Sequence, residues 1–252
     1  MGSGTRYERI GHGYATNRRE DPRINALIDA ALGDARTVVN VGAGAGSYEP
    51  RDRHVIAIEP SDVMASQRPA ELAPAIRATA GTLPLRDASV DAAMAILTVH
   101  HWDDEQERGV RELRRVARDT IVILTFDADV CARMWLVADY LPELAELDRR
   151  IFPPLDRLAE WLGCPNPRVD AVEVAADTPD WTFASFWAHP ERVLDPHARA
   201  STSGFARMDP AIVQRAAARL AADLESGAWD ARHGHLRALD AYDAGLRLVV
   251  AG

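Results

Sequence analysis

The sequence predicts an α/β fold with helices on both faces of a mostly parallel sheet, and three observations carry that reading. Short β-branched runs alternate with helical patterns along the first half of the chain, the arrangement that yields parallel strands joined by right-handed crossovers. The run 119–125 is almost continuously apolar at its centre, as a strand buried on both faces must be. The first run ends in closely spaced glycines, which let the backbone turn tightly and let a ligand approach main-chain N–H groups.

Taken in order, Asp21-Pro22-Arg23 reads as a helix start with proline at the first helical position. Residues 37–41 are the first strand, and residues 54–59 the second, stopped by Pro60. Residues 75–80, 91–99 and 119–125 are the third, fourth and fifth. Between the last two, 103–118 is a charged amphipathic helix with Val110, Leu113 and Val116 at helical spacing. In the second half, 129–147 reads as a helix carrying Met134, Trp135, Val137 and Leu141, and 153–162 as another, ended by Gly163. Residues 168–175 alternate like a strand. From 182 to 243 the pattern is helical, including 208–226, which Asp209-Pro210 opens and Gly227 stops. That stretch is too long for a loop, so a helical cap over the ends of the sheet is expected before a last strand at 246–251.

Composition narrows the chemistry. All 29 basic residues of the 252 are arginine, and there is no lysine. This excludes a P-loop NTPase, a Schiff-base or pyridoxal enzyme and a protein kinase, each of which needs a lysine amine. Against 38 acidic residues the net charge is −9, which argues against nucleic acid and anionic membranes as partners. Cys131 and Cys164 have no metal or redox spacing, and His233-Gly234-His235 lacks further ligands, so no metal is expected. Residues 1–14 hold no apolar stretch of the signal-peptide kind. No run approaches the roughly 18 apolar residues of a membrane span. A cytoplasmic protein is expected.

The sharpest feature is Val39-Asn40-Val41-Gly42-Ala43-Gly44-Ala45-Gly46. Glu59 follows Gly42 by seventeen residues, at the end of the second strand, where a carboxylate can accept hydrogen bonds from ribose hydroxyls. The dinucleotide fingerprint would need a third glycine at Ser47. Only seven residues, including Pro50, separate Gly46 from His54, leaving little helix to aim at a pyrophosphate. A nucleoside without phosphates needs no such helix, which favours S-adenosylmethionine over NAD.

The glycine loop, the run Ile58-Glu59-Pro60-Ser61, the run from Leu83-Pro84 to Asp91 and Leu97-Thr98-Val99-His100-His101-Trp102 together resemble the class I S-adenosylmethionine-dependent methyltransferases, in their small-molecule branch. The resemblance covers roughly residues 36–125. It implies a Rossmann-like fold with a mostly parallel seven-stranded sheet, helices on both faces and a C-terminal helical cap inserted before the last strand. The chain would then be a single domain over 1–252, with an N-terminal lid and helix (1–35), a cofactor-binding core (36–180), the cap (181–243) and the last strand (244–252). The plan is also loosely similar to the trans-aconitate methyltransferases, without carrying their substrate over.

The same resemblance assigns roles. Gly42, Gly44 and Gly46 would wrap the methionine part of S-adenosylmethionine, and of the product S-adenosylhomocysteine, beside Asn40. Glu59, with Pro60 and Ser61, would hold the ribose; Thr79, Ala80 and Gly81 would surround the adenine; and the backbone of Leu97 would face the amino group. Tyr14 would cover the sulfonium, and an arginine of the Arg18-Arg19 pair, Arg19 as the cofactor-binding candidate, would meet the carboxylate; the alternative is that both arginines form a solvated face. Two departures stand out. Asn40 replaces a usual acid, and Thr79 and Gly81 are uncharged where acids are common.

His100 and His101 are candidate bases. Trp102, Trp135, Trp187 and Arg192 are candidates for the acceptor pocket. Without lysine, any cationic contact falls to arginine or a protonated histidine, with Arg18, Arg19, Arg192 and Arg199 the first to inspect. The expected reaction is methyl transfer to a small molecule, at oxygen, nitrogen or carbon. An NAD-dependent oxidoreductase and a non-catalytic cofactor-binding relative are the alternatives. A small-molecule substrate is the expected partner, and a homodimer is open.

Overall fold

The computed structural model describes residues 19–200 and 202–252, so Tyr14 and Arg18 lie outside the described residues. Asp21 caps the first helix α1 (Pro22–Leu32) by accepting the Arg23 N–H, and Pro22 fills the first turn, as proline can where no donor is needed. The helix buries Ile24, Ile28, Ala31 and Leu32, a stripe at helical spacing. Strand β1 (Thr37–Val41) follows, and β2 (His54–Ile58) pairs with it in parallel. The short α2 (Asp62–Ala65) leads to β3 (Val90–Ile96), which lies on the other side of β1. Helix α3 (Gln106–Val116) connects to β4 (Ala117–Phe126), parallel to β3.

The remaining elements are α4 (Ala128–Cys131), α5 (Pro142–Ile151), α6 (Leu155–Trp161), β5 (Arg168–Ala171), β6 (Val174–Ala175), the cap, β7 (Ala241–Tyr242) and β8 (Leu246–Ala251). The main sheet has the order β2-β1-β3-β4-β8-β5, with β8 antiparallel to both neighbours. From β1 the chain runs to β2 on one side and then to β3 on the other. That reversal opens a crevice beyond the carboxyl ends of β1 and β3, where open α/β sheets bind ligands.

Each face of the sheet has its own core. Val38, Met94, Val122 and Leu124 pack against α1 and the C-terminal half of the chain. Val39, Val41, Ala93, Ile121 and Ile123 pack against Val110, Leu113 and Val116 of α3 and Leu158 of α6. Successive strand residues point to opposite faces, so covering both accounts for the unbroken apolar run at 121–124.

Four expectations are corrected. Residues 75–80 form no strand: Ile76 makes a single bridge to Ile58, its N–H donating to Ala57 O (2.8 Å) and its carbonyl accepting from Glu59 N (3.1 Å). Pro74, without an N–H, cannot extend that ladder. Among the described residues the main sheet therefore has six strands rather than the expected seven. The helix expected at 129–147 is broken into α4, a π-turn at Leu136–Tyr140 and α5, because Pro142 can only begin a helix. Residues 168–175 split between β5 and β6, and β6 pairs with β7 in a separate two-stranded ribbon.

The cap is likewise a chain of short pieces: 3₁₀ turns at Phe183–Ala188 and Pro190–Leu194, α7 (Pro196–Ala200), α8 (Ser203–Ala206), the long α9 (Pro210–Glu225), α10 (Ala228–His233) and a turn at Gly234–Ala238. Pro190, Pro196 and Pro210 each restart it. Its Phe186, Trp187 and Trp229 join the same core as Val122 and Leu124. Among the described residues no helix is long and apolar enough to cross a membrane.

Candidate functional site

The glycine loop leaves β1 and is pinned at once: the N–H groups of Gly42 and Ala43 both donate to Ile58 O at 2.9 Å. Gly42, Gly44 and Gly46 all have positive φ, at 72°, 52° and 97°. A Cβ on Gly42 would lie 2.0 Å from Thr98 Oγ1, so the loop folds directly against the segment leaving β3. Leu97 in that segment also has positive φ, 53°, a conformation costing an L-residue roughly 1–2 kcal/mol. It is held by its N–H donating to Leu124 O (2.8 Å). Strain retained at a cleft is a pointer to function.

Glu59 is 7% exposed. Its Oε2 accepts the Gly44 N–H (2.8 Å) and its Oε1 the Ser61 N–H (2.7 Å). Burial pushes the carboxyl above its ordinary value, and the two main-chain donors oppose that push. Each oxygen keeps a lone pair for a further donor. Ser61 in turn caps α2 by accepting the Met64 N–H.

Behind the loop lies a network that sequence reasoning missed. Asn40 Nδ2 donates to Glu49 Oε2 (3.0 Å), and Arg68 Nη2 reaches both Glu49 oxygens (2.8 and 2.9 Å). The Arg68 and Glu49 side chains are 3% and 1% exposed. Arg68 also donates to Gly44 O (3.3 Å) and Ala73 O (3.0 Å), tying the loop to the far side of α2. A carboxylate thus does stand beside Asn40, and Arg68 balances its charge. The two residues are nineteen apart, a separation with no local pattern to reveal it.

These elements enclose a cleft of about 480 Å³, within the range of ligand sites. Arg19, Asn40, residues 42–47, Glu59, Pro60, Ser61, Thr79, Ala80, Leu97, Thr98, His101 and Trp102 line it. Gly81 does not. Its carbonyl accepts Arg108 Nε (2.7 Å), and a Cβ there would meet the Arg108 and Glu105 side chains.

The histidines sit on a 3₁₀ turn, Val99–His101, with ring centroids 3.8 Å apart. His101 lines the cleft, whereas His100 turns to Phe152 (4.4 Å) and to a second cavity of about 60 Å³. That cavity lies between the sheet and the cap, among Phe126, Asp148, Phe152, Trp181, Phe183 and Arg207, and shares Leu97 and His101 with the cleft.

Three acceptor-pocket candidates are corrected. Trp135 and Trp187 line neither cavity; both are core residues, the Trp135 Nε1 donating to Trp187 O and the Trp187 Nε1 to Val174 O, each at 2.9 Å. Arg192 stacks on Trp181 at 4.1 Å, behind the cavity wall. Arg199 donates to Val193 O within the cap. Trp102 lines the cleft and packs on Gly109, where a Cβ would be 2.6 Å from its ring.

Residues 39–123 match the family model described as a methyltransferase domain. A putative methyltransferase from an antibiotic biosynthesis pathway of Anabaena variabilis is 32% identical, with 94% of this chain and 99% of that one covered and a TM-score of 0.84. The YcgJ protein of Bacillus subtilis (14% identity, 91% and 97% covered, TM-score 0.54) shares the fold. So does a geranyl diphosphate C-methyltransferase of Streptomyces coelicolor, solved with S-adenosylhomocysteine (12%, 91% and 78%, TM-score 0.51). No curated protein matches the chain. The near full-length likeness to the Anabaena protein and the matched domain lead to one conclusion: the chain belongs to the class I S-adenosylmethionine-dependent methyltransferases.

Proposed function

We propose that the cleft between the glycine loop and Glu59 holds S-adenosylmethionine, and that the enzyme transfers its methyl group to a small molecule entering past His101. The observation that carries this reading is Glu59: a buried carboxylate, fixed by main-chain donors at Gly44 and Ser61, with lone pairs left for a diol. Bound there, the cofactor supplies an electrophilic methyl carbon on a sulfonium.

The chain's own residues position and exclude. Residues 42–46 present main-chain groups to the methionine end, Arg19 meets its carboxylate, and Thr79, Ala80 and Trp102 flank the base. In-line displacement needs the acceptor behind the methyl group, and Leu97 and His101, common to both cavities, mark that junction. His101 is placed to accept a proton from an acceptor that must lose one. The charge of −9 suits an uncharged or modestly charged small molecule better than a nucleic acid.

Calorimetric titration with S-adenosylhomocysteine and, separately, with NAD tests the reading. One-to-one binding of the former and none of the latter is expected. No heat at millimolar S-adenosylhomocysteine would overturn it.

A further inference from the structure

The second cavity carries one acid that nothing in the cofactor site explains. Asp148, on α5, is 7% exposed, and its Oδ1 is buried with no hydrogen-bond partner among the described residues. The Arg207 guanidinium lies 3.7 Å from that oxygen, near enough to offset its charge and too far to hydrogen-bond it. Three polar atoms around it are turned elsewhere: Thr202 Oγ1 donates to Ala198 O, Cys131 Sγ to Ala244 O, and Arg207 Nε to Ser203 O. A buried acceptor left open in a folded protein calls for a missing donor.

We infer that Asp148 anchors the methyl acceptor, and that the acceptor presents to it an O–H or N–H group on a compact end. The inference rests on the methyl-transfer reading above. Compactness follows from the volume, about 60 Å³, against the 150 Å³ or so in which an apolar cavity holds benzene. The rings of Phe126, Phe152, Trp181 and Phe183 supply apolar walls around that end. Because Leu97 and His101 belong to both spaces, a group anchored at Asp148 lies next to the cofactor cleft. The Asp148 carboxyl, pushed up to about 6 by burial, is still an acceptor near pH 8.

Met134 lines the cavity, so its ε-methyl is a local reporter. The full chain, labelled with ¹³C-methyl methionine, is first saturated with S-adenosylhomocysteine; failure at that step refutes the methyl-transfer reading itself, before any acceptor probe is added. The complex is then titrated with 2-propanol and with acetone, which are of similar size and differ in the donor. The Met134 resonance is assigned by Met134→Leu. Binding of 2-propanol at least about tenfold tighter than acetone is expected, the scale of a hydrogen bond to a charged group. Asp148→Leu, shown folded by circular dichroism, should abolish that preference, and the near-isosteric Asp148→Asn should reduce it. Equal binding of the two probes, no Met134 shift with either, or a preference that survives both substitutions would overturn the inference.

Discussion

Replacing Gly42 with alanine separates a loop that is merely glycine-rich from one built against its neighbours. The new Cβ would stand 2.0 Å from Thr98 Oγ1 and 2.8 and 2.9 Å from Thr98 Cβ and Cγ2, at φ +72°. Gly227 is the control, because its φ is 77° in the left-handed region and none of the described residues lies within 4 Å of its added Cβ. Gly227→Ala should therefore cost only the dihedral term, about 1 kcal/mol. Gly42→Ala adds overpacking of about 1–3 kcal/mol, so its total should reach about 2–4 kcal/mol in urea unfolding. The relief available is for the loop to move away from Thr98. That motion breaks the N–H bonds of Gly42 and Ala43 to Ile58 O and carries Gly44 from Glu59. Affinity for S-adenosylhomocysteine should fall at least about tenfold, the effect of one lost charge-assisted hydrogen bond. Thr98→Ala in the same chain removes two of the three clashing atoms and should recover part of both losses. A Gly42→Ala protein as stable as Gly227→Ala, binding like wild type, would refute the reasoning.

Three further outcomes are expected. Glu59→Gln keeps one accepting oxygen and turns an amide N–H toward a main-chain donor, so calorimetry should show binding of S-adenosylhomocysteine weakened about tenfold or more. Arg68→Met strands the Glu49 carboxylate in the interior and should cost about 3–5 kcal/mol in urea unfolding, with most of it recovered by adding Glu49→Gln. For Asp148, burial raises the folded carboxyl to about 6 from an ordinary 3.8, so the folded state binds the proton more tightly than the unfolded chain. Stability from this group is thus lost as pH rises from about 4 to about 6, by about 3 kcal/mol at most. Unfolding curves of wild type and Asp148→Asn at pH 4.5 and 7.5 should show the wild type gaining on the variant in acid; a constant difference would contradict that sign.

What the sequence made legible was local. The glycines after β1, the acid ending β2 and the doubly buried run in β4 each announce themselves within a few residues, and they place the cleft. What it hid depends on partners distant in the chain. Residues 75–80 have strand-like composition, yet past Pro74 only Ile76 finds a ladder. Trp135 and Trp187 look like Trp181 and Phe183 in sequence, since aromatic residues in a helical pattern serve a core or a pocket equally well. Packing sends the first two inward and turns the second two to the cavity. The adjacent His100 and His101 cannot be ranked by pattern; the direction of a 3₁₀ turn gives His101 the cleft and His100 the cavity beyond. Pro142 is a local break in the helix expected over 129–147, because proline can only begin a helix.

The central claim is that the diol of the cofactor sits on Glu59 and its sulfur end faces the junction at Leu97 and His101. A crystal structure of the protein with S-adenosylhomocysteine tests this most directly. The account predicts ribose oxygens within hydrogen-bond distance of the Glu59 carboxylate, with the Gly44 and Ser61 N–H bonds retained and the sulfur beside His101. Ligand density elsewhere on the protein, or in the cleft with the ribose turned away from Glu59, would contradict it.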